Sequence, residues 1–181
     1  MRQTFLSDGA RKENDAEHAW HMAVMAVLLS DYANEKIDVL KTVTMLLIHD
    51  LVEIDAGDTF AYDEEGKKTQ RARELEGAER IFSLLPDEAA AKMRGLWDEF
   101  EEGVTPEARF AHSMDNIQPA MLNDSVGGKG WKERGIRLSQ ILERNKNTAA
   151  GSKALWDYAY ENFIMPHVAD GQIIDDRPVK S

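Results

Sequence analysis

The sequence predicts an all-α fold, on three observations. Apolar residues recur at helical spacing in the long runs, capping residues or Pro and Gly stand at the ends of those runs, and no convincing alternating strand occurs. Together they predict one helical domain over residues 1–181, a bundle of about six or more helices. Its core is expected over about 14–165, with a polar tail over 166–181.

The elements follow in order. Residues 1–13 are polar and irregular, with Ser7-Asp8-Gly9 as a turn. Asn14 reads as an N-cap and Glu17 as its capping-box partner, predicting a helix from about Asp15 to Tyr32. Ala19 to Leu29 is apolar nearly all round apart from His21, which places that helix in the interior. Ile37 to Val52 carries Val39, Leu40, Val43, Leu46 and Leu47 and predicts a second buried helix. Gly57, Asp58, Gly66 and a cluster of charges predict a loop from Asp55 to Lys68. Helices are expected over Gln70 to Leu85, over Asp87 to Glu102 after Pro86 and before Gly103, and onward from Pro106 through Met121. Gly127, Gly128 and Gly130 mark a loop, and 131–146 and 152–164 read as two further amphipathic helices.

Composition narrows the function. Hydrophobic residues make up 43% and charged residues 30%, the balance of a soluble globular protein. Polar residues interrupt the apolar stretches before they reach spanning length, and no signal-peptide pattern opens the chain, so no membrane partner is expected. Zero cysteines exclude disulfides, thiolate catalysis and cysteine metal sites, and fit a cytoplasmic protein. A net charge of −11 argues against a nucleic-acid partner, but a metal and a few arginines can still hold a small anion.

Five histidines occur. His167 is expected to be structural or exposed, His112 to be a partner of Asp115 or a surface residue, and His21 to be a packing residue. His18, His49, Asp50 and Asp115 differ, since each lies on a predicted helix among apolar neighbours, where an unpaired ionisable group is unfavourable. Two imidazoles and two carboxylates suit one divalent cation such as manganese, cobalt, iron, nickel or zinc, and leave octahedral positions for water and substrate. Magnesium is a further candidate. Glu53 lies one helical turn beyond His49 and three residues after Asp50, on the same patch.

Glu13-Asn14-Asp15-Ala16-Glu17-His18, then His49-Asp50-Leu51-Val52-Glu53, then Gly57-Asp58, and Asp115 after a long gap, resemble the histidine–aspartate (HD) domain superfamily. Within it the chain is most similar to the 5'-deoxynucleotidases of the YfbR and HDDC2 type, from about Arg2 to Leu122. The resemblance implies that His18, His49, Asp50 and Asp115 are metal ligands, that Glu53 positions or deprotonates the attacking water, and that Asp58 assists. Arg11 matches an arginine near the substrate phosphate. It further implies an all-helical, commonly dimeric enzyme that takes a small-molecule nucleotide and removes its phosphate with a divalent metal. Related chains usually carry a helix before the segment matching Arg2-Gln3-Thr4, so some base- or sugar-contacting residues are expected to be missing or the start truncated.

The expected reaction is hydrolysis of a (deoxy)nucleoside 5'-monophosphate by metal-activated water in one displacement. Glu53 is the general base or water-orienting group, Asp58 holds the same water or protonates the leaving 5'-oxygen, and Arg11 offsets phosphate charge. Lys67, Lys68 or Arg71 on the charged loop stand either near the substrate or in solvent. Two alternatives stay open: another HD phosphohydrolase acting on a nucleoside triphosphate, cyclic nucleotide or alarmone, and a non-catalytic nucleotide- or metal-sensing helical module. Retention of both Glu53 and Asp58 speaks against the sensing module. Glu53→Ala is expected to abolish phosphate release while bound metal stays near wild type; unchanged turnover would remove Glu53 from the mechanism.

Overall fold

The structure, a computed structural model, describes residues 2–57 and 64–178, without the side chains of residues 64, 65 and 67. Helices follow one another as α1 (Asp15–Leu29), α2 (Val39–Ile48), α3 (Glu53–Ala56), α4 (Glu64–Phe82), α5 (Asp87–Glu102) and α6 (Pro106–Ser125). Then come α7 (Lys129–Arg134), α8 (Leu138–Arg144), α9 (Thr148–Gly151), α10 (Lys153–Ala159) and α11 (Met165–Ala169), the last two joined by a π-helical turn over Tyr160–Ile164. The described residues form no strand, only the isolated bridges Phe5–Lys12 and Arg137–Ile174. The all-α expectation holds. No helix among them is long and apolar enough to cross a membrane.

The predicted capping box opens α1: the Glu17 N–H donates to Asn14 Oδ1 at 2.9 Å and the Asn14 N–H to Glu17 Oε2 at 3.0 Å. α6 is the hub, with Thr105 as its cap and Pro106 in its first turn, and it packs against α1, α2, α5, α9 and α10. Met22, Met25, Met45, Leu46, Phe100, Phe110 and Met114 fill the core between them. A second cluster joins Trp131, Leu138, Ile141, Ile164 and Ile173, and a third packs Ile48, Val52, Phe82 and Trp97.

Several sequence expectations are corrected. α1 and α2 are not buried all round: Trp20, Val27 and Leu28 on α1 and Leu40 and Leu47 on α2 face outward, Leu40 at 76% exposure. The run expected as one helix from Ile37 to Val52 starts at Val39 and leaves α-geometry at His49, where a 3-10 turn covers His49–Val52. There the Trp97 indole N–H donates to the His49 carbonyl at 3.2 Å, and the Glu53 N–H turns to Asp50 instead. Residues three apart eclipse in a 3-10 turn, so Asp50 and Glu53 come to share one side. The stretch expected as a loop from Asp55 to Lys68 is helical at both ends, since α3 runs to Ala56 and α4 begins at Glu64; residues 58–63 lie outside the described residues.

At the C-terminal end, Gly135 at φ +59° splits 131–146 into α7 and α8, and Gly130 lies inside α7. The tail from Pro166 is not loose over its first part. His167 and Val168 are buried, Ile173 is 1% exposed, and the Leu138 N–H donates to the Ile174 carbonyl at 2.9 Å. Its apolar residues, spaced among polar ones, find a groove that the sequence alone does not display.

Two glycines permit close crossings. A Cβ on Gly77 of α4 would stand 2.7 Å from the Val52 carbonyl oxygen, so α4 packs directly on the turn that carries His49 and Asp50. Gly151 of α9 meets the Arg109 carbonyl of α6 so closely that a Cβ would overlap it. Gly151→Ala is therefore expected to destabilise the fold by about 2–3 kcal/mol, read as a lower denaturant midpoint at unchanged slope.

Candidate metal centre

Three segments deliver the four predicted ligands to one spot. His18 comes from the first turn of α1, His49 and Asp50 from the end of α2 and the 3-10 turn, and Asp115 from the middle of α6. The ligand atoms of His18, His49 and Asp50 lie within 4.8 Å of one another. Asp115 Oδ1 stands 3.1 Å from His18 Nε2 and 3.9 Å from His49 Nε2. Both imidazoles are almost wholly buried, and the carboxylates partly exposed.

The partners of each ring decide which nitrogen faces the centre. His49 Nδ1–H donates to the Leu46 carbonyl at 2.9 Å, which leaves Nε2 bare. His18 Nδ1 sits 3.0 Å from Gln118 Oε1, so its Nε2 also turns inward. His49 Nε2 is buried and has no hydrogen-bond partner, although Asp50 Oδ1 is 3.0 Å away. A buried nitrogen without a partner, at the point where the other ligand atoms converge, is what a cation would satisfy, and leaving such an atom buried otherwise costs about 1–3 kcal/mol. Two neutral imidazoles and two carboxylates fit a divalent metal of intermediate hardness.

Electrostatics show the same concentration of negative charge, which a proton on His49 answers where no cation does. Burial opposes a charge on His49, but Asp50 and Asp115 outweigh it and raise His49 to about 9. Burial would raise Asp115, yet the His18 contact and the Arg144 and His49 charges hold it well below the usual carboxylate range. Asp50 is likewise held down, against its burial, by His49 and Arg2. Arg2 Nη1 donates to Asp50 Oδ2 at 2.6 Å and its Nε to Glu13 Oε1 at 3.1 Å.

The centre opens into a cavity of about 290 Å³, near the small end of the range for ligand sites. Arg2, Glu53, Asn116, Trp131, Arg134 and Arg144 are among its lining residues. Glu74 and Glu101, with Gln70 beside them, form an acidic wall, where burial and the Glu74 charge push Glu101 up to about 7 against Arg71. The carboxylate of Asp15, in the first turn of α1, converges with those of Asp50 and Glu53 within 4.8 Å.

The predicted residues divide accordingly. His18, His49, Asp50 and Asp115 come together, and Glu53 lines the same cavity; Asp58 lies outside the described residues, as does the Lys67 side chain. Arg11 is not in the cavity wall. It makes a forked pair with Glu17 at the exposed start of α1, 2.8 Å and 2.5 Å long, and Arg2 occupies the wall instead. Arg71 reaches Glu101 at 2.7 Å and lies over Trp97, and Lys68 is exposed. His112 lines the cavity with its Nε2 2.7 Å from the Phe100 carbonyl. His167 pairs with Asp124 at 2.9 Å beside Trp131.

Sequence reasoning missed Arg2, Glu13 and Gln118. Nothing local separates Arg2 from Arg11, both in a polar stretch. Gln118 had a readable signal, since it follows Asp115 by three residues on the same face of an apolar helix.

Comparison with known proteins follows the same lines. The crystal structure of a predicted metal-dependent phosphohydrolase from Magnetospirillum magnetotacticum MS-1 matches with a TM-score of 0.90 and 43% identity, over 96% of this chain and 86% of that one. The human 5'-deoxynucleotidase HDDC2 is 31% identical over 80% of this chain and 78% of its own length. The Xenopus laevis HDDC2 is 27% identical over 80% and 79%. The HD domain family matches residues 1–156, and with a relative of this identity and coverage the chain belongs to the HD domain family.

Proposed function

We propose that this protein is a metal-dependent phosphohydrolase that releases phosphate from deoxynucleoside 5'-monophosphates. The bare, buried His49 Nε2, converging with His18, Asp50 and Asp115 at the floor of a cavity, carries the reading. Relatives named 5'-deoxynucleotidase support the substrate class.

His18, His49, Asp50 and Asp115 hold the metal. When bound, a divalent ion lowers the pKa of a water molecule and neutralises charge on a phosphate oxygen. Glu53 begins α3 on the cavity wall, on the same side as Asp50, where it orients the attacking water and accepts its proton. Arg2 replaces Arg11 as the phosphate-side cation, since its guanidinium already stands at Asp50. Asp58 keeps the assisting role implied by its place in the motif. Trp131 gives the cavity an apolar, aromatic surface for the nucleoside, with Asn116 and Arg134 as polar groups near it.

The chain also forms a homodimer in this reading. α1 and α2 pack side by side, and Trp20, Val27, Leu28, Leu40 and Leu47 stand outward on them, with Leu51 and Ile54 beyond. Light scattering should give twice the chain mass, and Leu28→Lys with Leu47→Lys should give the single mass at unchanged helicity.

Phosphate release from a panel of nucleoside mono- and triphosphates, after chelation and readdition of single metals, tests the function. Deoxynucleoside monophosphates should be hydrolysed only with metal restored; turnover of none with any metal would overturn it. On the best substrate, Arg2→Ala should lower kcat/KM by about 10–100-fold, the loss of a charge-assisted contact, while Arg11→Ala stays near wild type.

Proton and metal compete for the bare His49 nitrogen. Its folded value of about 9 lies above the ordinary 6.5, so in metal-free protein its stabilisation is complete below about 6.5 and lost as pH rises through 9. The thermal midpoint of chelated protein should therefore fall over that interval, while metal affinity rises over it. His49→Ala should flatten both trends.

A further inference from the structure

Behind the centre lies a closed set of hydrogen bonds that the proposed chemistry does not use. Glu13 precedes the α1 cap and is 3% exposed. Its Oε1 takes Arg2 Nε at 3.1 Å and stands 3.2 Å from His18 Nδ1. Its Oε2 accepts from Gln118 Nε2 at 2.8 Å. Gln118 is wholly buried, and its Oε1 lies 3.0 Å from the same His18 Nδ1, while its Nε2 lies 3.1 Å from His21 Nδ1.

Donor and acceptor roles in this set are forced one by one. Arg2 Nε donates to one oxygen of Glu13 and Gln118 Nε2 to the other, so both oxygens of this carboxylate accept. An ionised carboxylate only accepts. The Gln118 amide must then turn its NH2 to Glu13, which leaves its oxygen for His18. That oxygen accepts a hydrogen only if His18 carries it on Nδ1, which lets Nε2 give its lone pair to a cation in place of its 3.1 Å contact with Asp115 Oδ1.

We propose that Glu13 is the positioning residue of the metal centre. Acting through the Gln118 amide, it holds His18 in the one tautomer that can ligate a cation. The same carboxylate anchors Arg2 by its Nε, so ligand orientation and the phosphate-side cation depend on one buried charge. A carboxamide at position 13 has one accepting oxygen where the carboxylate has two, and with that oxygen kept on Arg2 Nε its NH2 meets the Gln118 NH2. The Gln118 amide would turn over, its NH2 would face His18 Nδ1, and the hydrogen of His18 would move to Nε2, where it blocks ligation.

The test uses the full chain and zinc alone. Zinc affinity is measured by competition with a chelating dye, and long-range 1H–15N spectra of the zinc-free protein report which His18 nitrogen is protonated. Glu13→Gln should weaken zinc by about 10–100-fold, the usual cost of losing a partner behind a ligating histidine, and reduce the Nδ1-protonated signal of His18. Glu13→Gln combined with Gln118→Glu exchanges donor and acceptor and should recover most of the affinity. In that double variant the carboxamide now at position 13 donates to the carboxylate now at position 118. That carboxylate accepts from His18 Nδ1–H, and His21 meets it through its other tautomer. Wild-type affinity with an unchanged His18 pattern in Glu13→Gln would overturn the proposal, as would a folded double variant no better than the single one. Failure of both variants to fold would make Glu13 a structural residue and overturn it too. The proposal rests on His18 being a ligand, which His18→Ala tests separately: full zinc affinity there sinks the ligand set itself.

Discussion

Two imidazole nitrogens, one of them without a hydrogen-bond partner, and two carboxylates share one buried point, and much of the molecule is arranged to make that tolerable. The residues come from α1, the turn after α2 and the middle of α6, so the centre exists only when these three segments are packed. Burying such groups without partners is unfavourable. Here each charge has a counterpart: Arg2 for Asp50 and Glu13, Arg144 and the histidines for Asp115. What stays uncompensated is the inward face of His49, and that face opens to the cavity.

The break in the helix after Ile48 is part of the same arrangement. A continuous helix would place Glu53 over His49; the 3-10 turn sets it over Asp50 instead. Trp97 holds the turn by taking the His49 carbonyl, and Gly77 lets α4 press against Val52 from the other side. The turn is therefore clamped between α4 and α5, a rigid support of the kind that precise ligand placement requires. Pro119, inside α6, supplies no N–H to the carbonyl of Asp115, so the backbone around that ligand also departs from uniform helix bonding.

The balance between inward and outward faces explains the largest misreading of the chain. α1 and α2 are apolar on more sides than their packing against α6 can use, so a pattern that suggests full burial leaves Trp20, Leu28 and Leu40 exposed. The opposite happened at the C-terminal end, where scattered apolar residues in a polar stretch dock against Trp131 and Leu138. In both cases the periodicity was real, but the identity of the surface opposite each face was not written in it.

Local spacing and residue chemistry were enough for the helical class, the capping box at Asn14, the helix from Asp87 to Glu102 and the four ligand candidates. They did not reveal that Arg2 rather than Arg11 stands in the cavity, that Glu13 and Gln118 stand behind His18, or that His167 is held by Asp124. Those facts join residues up to 105 positions apart, as in the Glu13–Gln118 bond. A hydrogen bond between distant segments leaves no period in the chain; only the packing of α1 against α6 brings its two ends within reach.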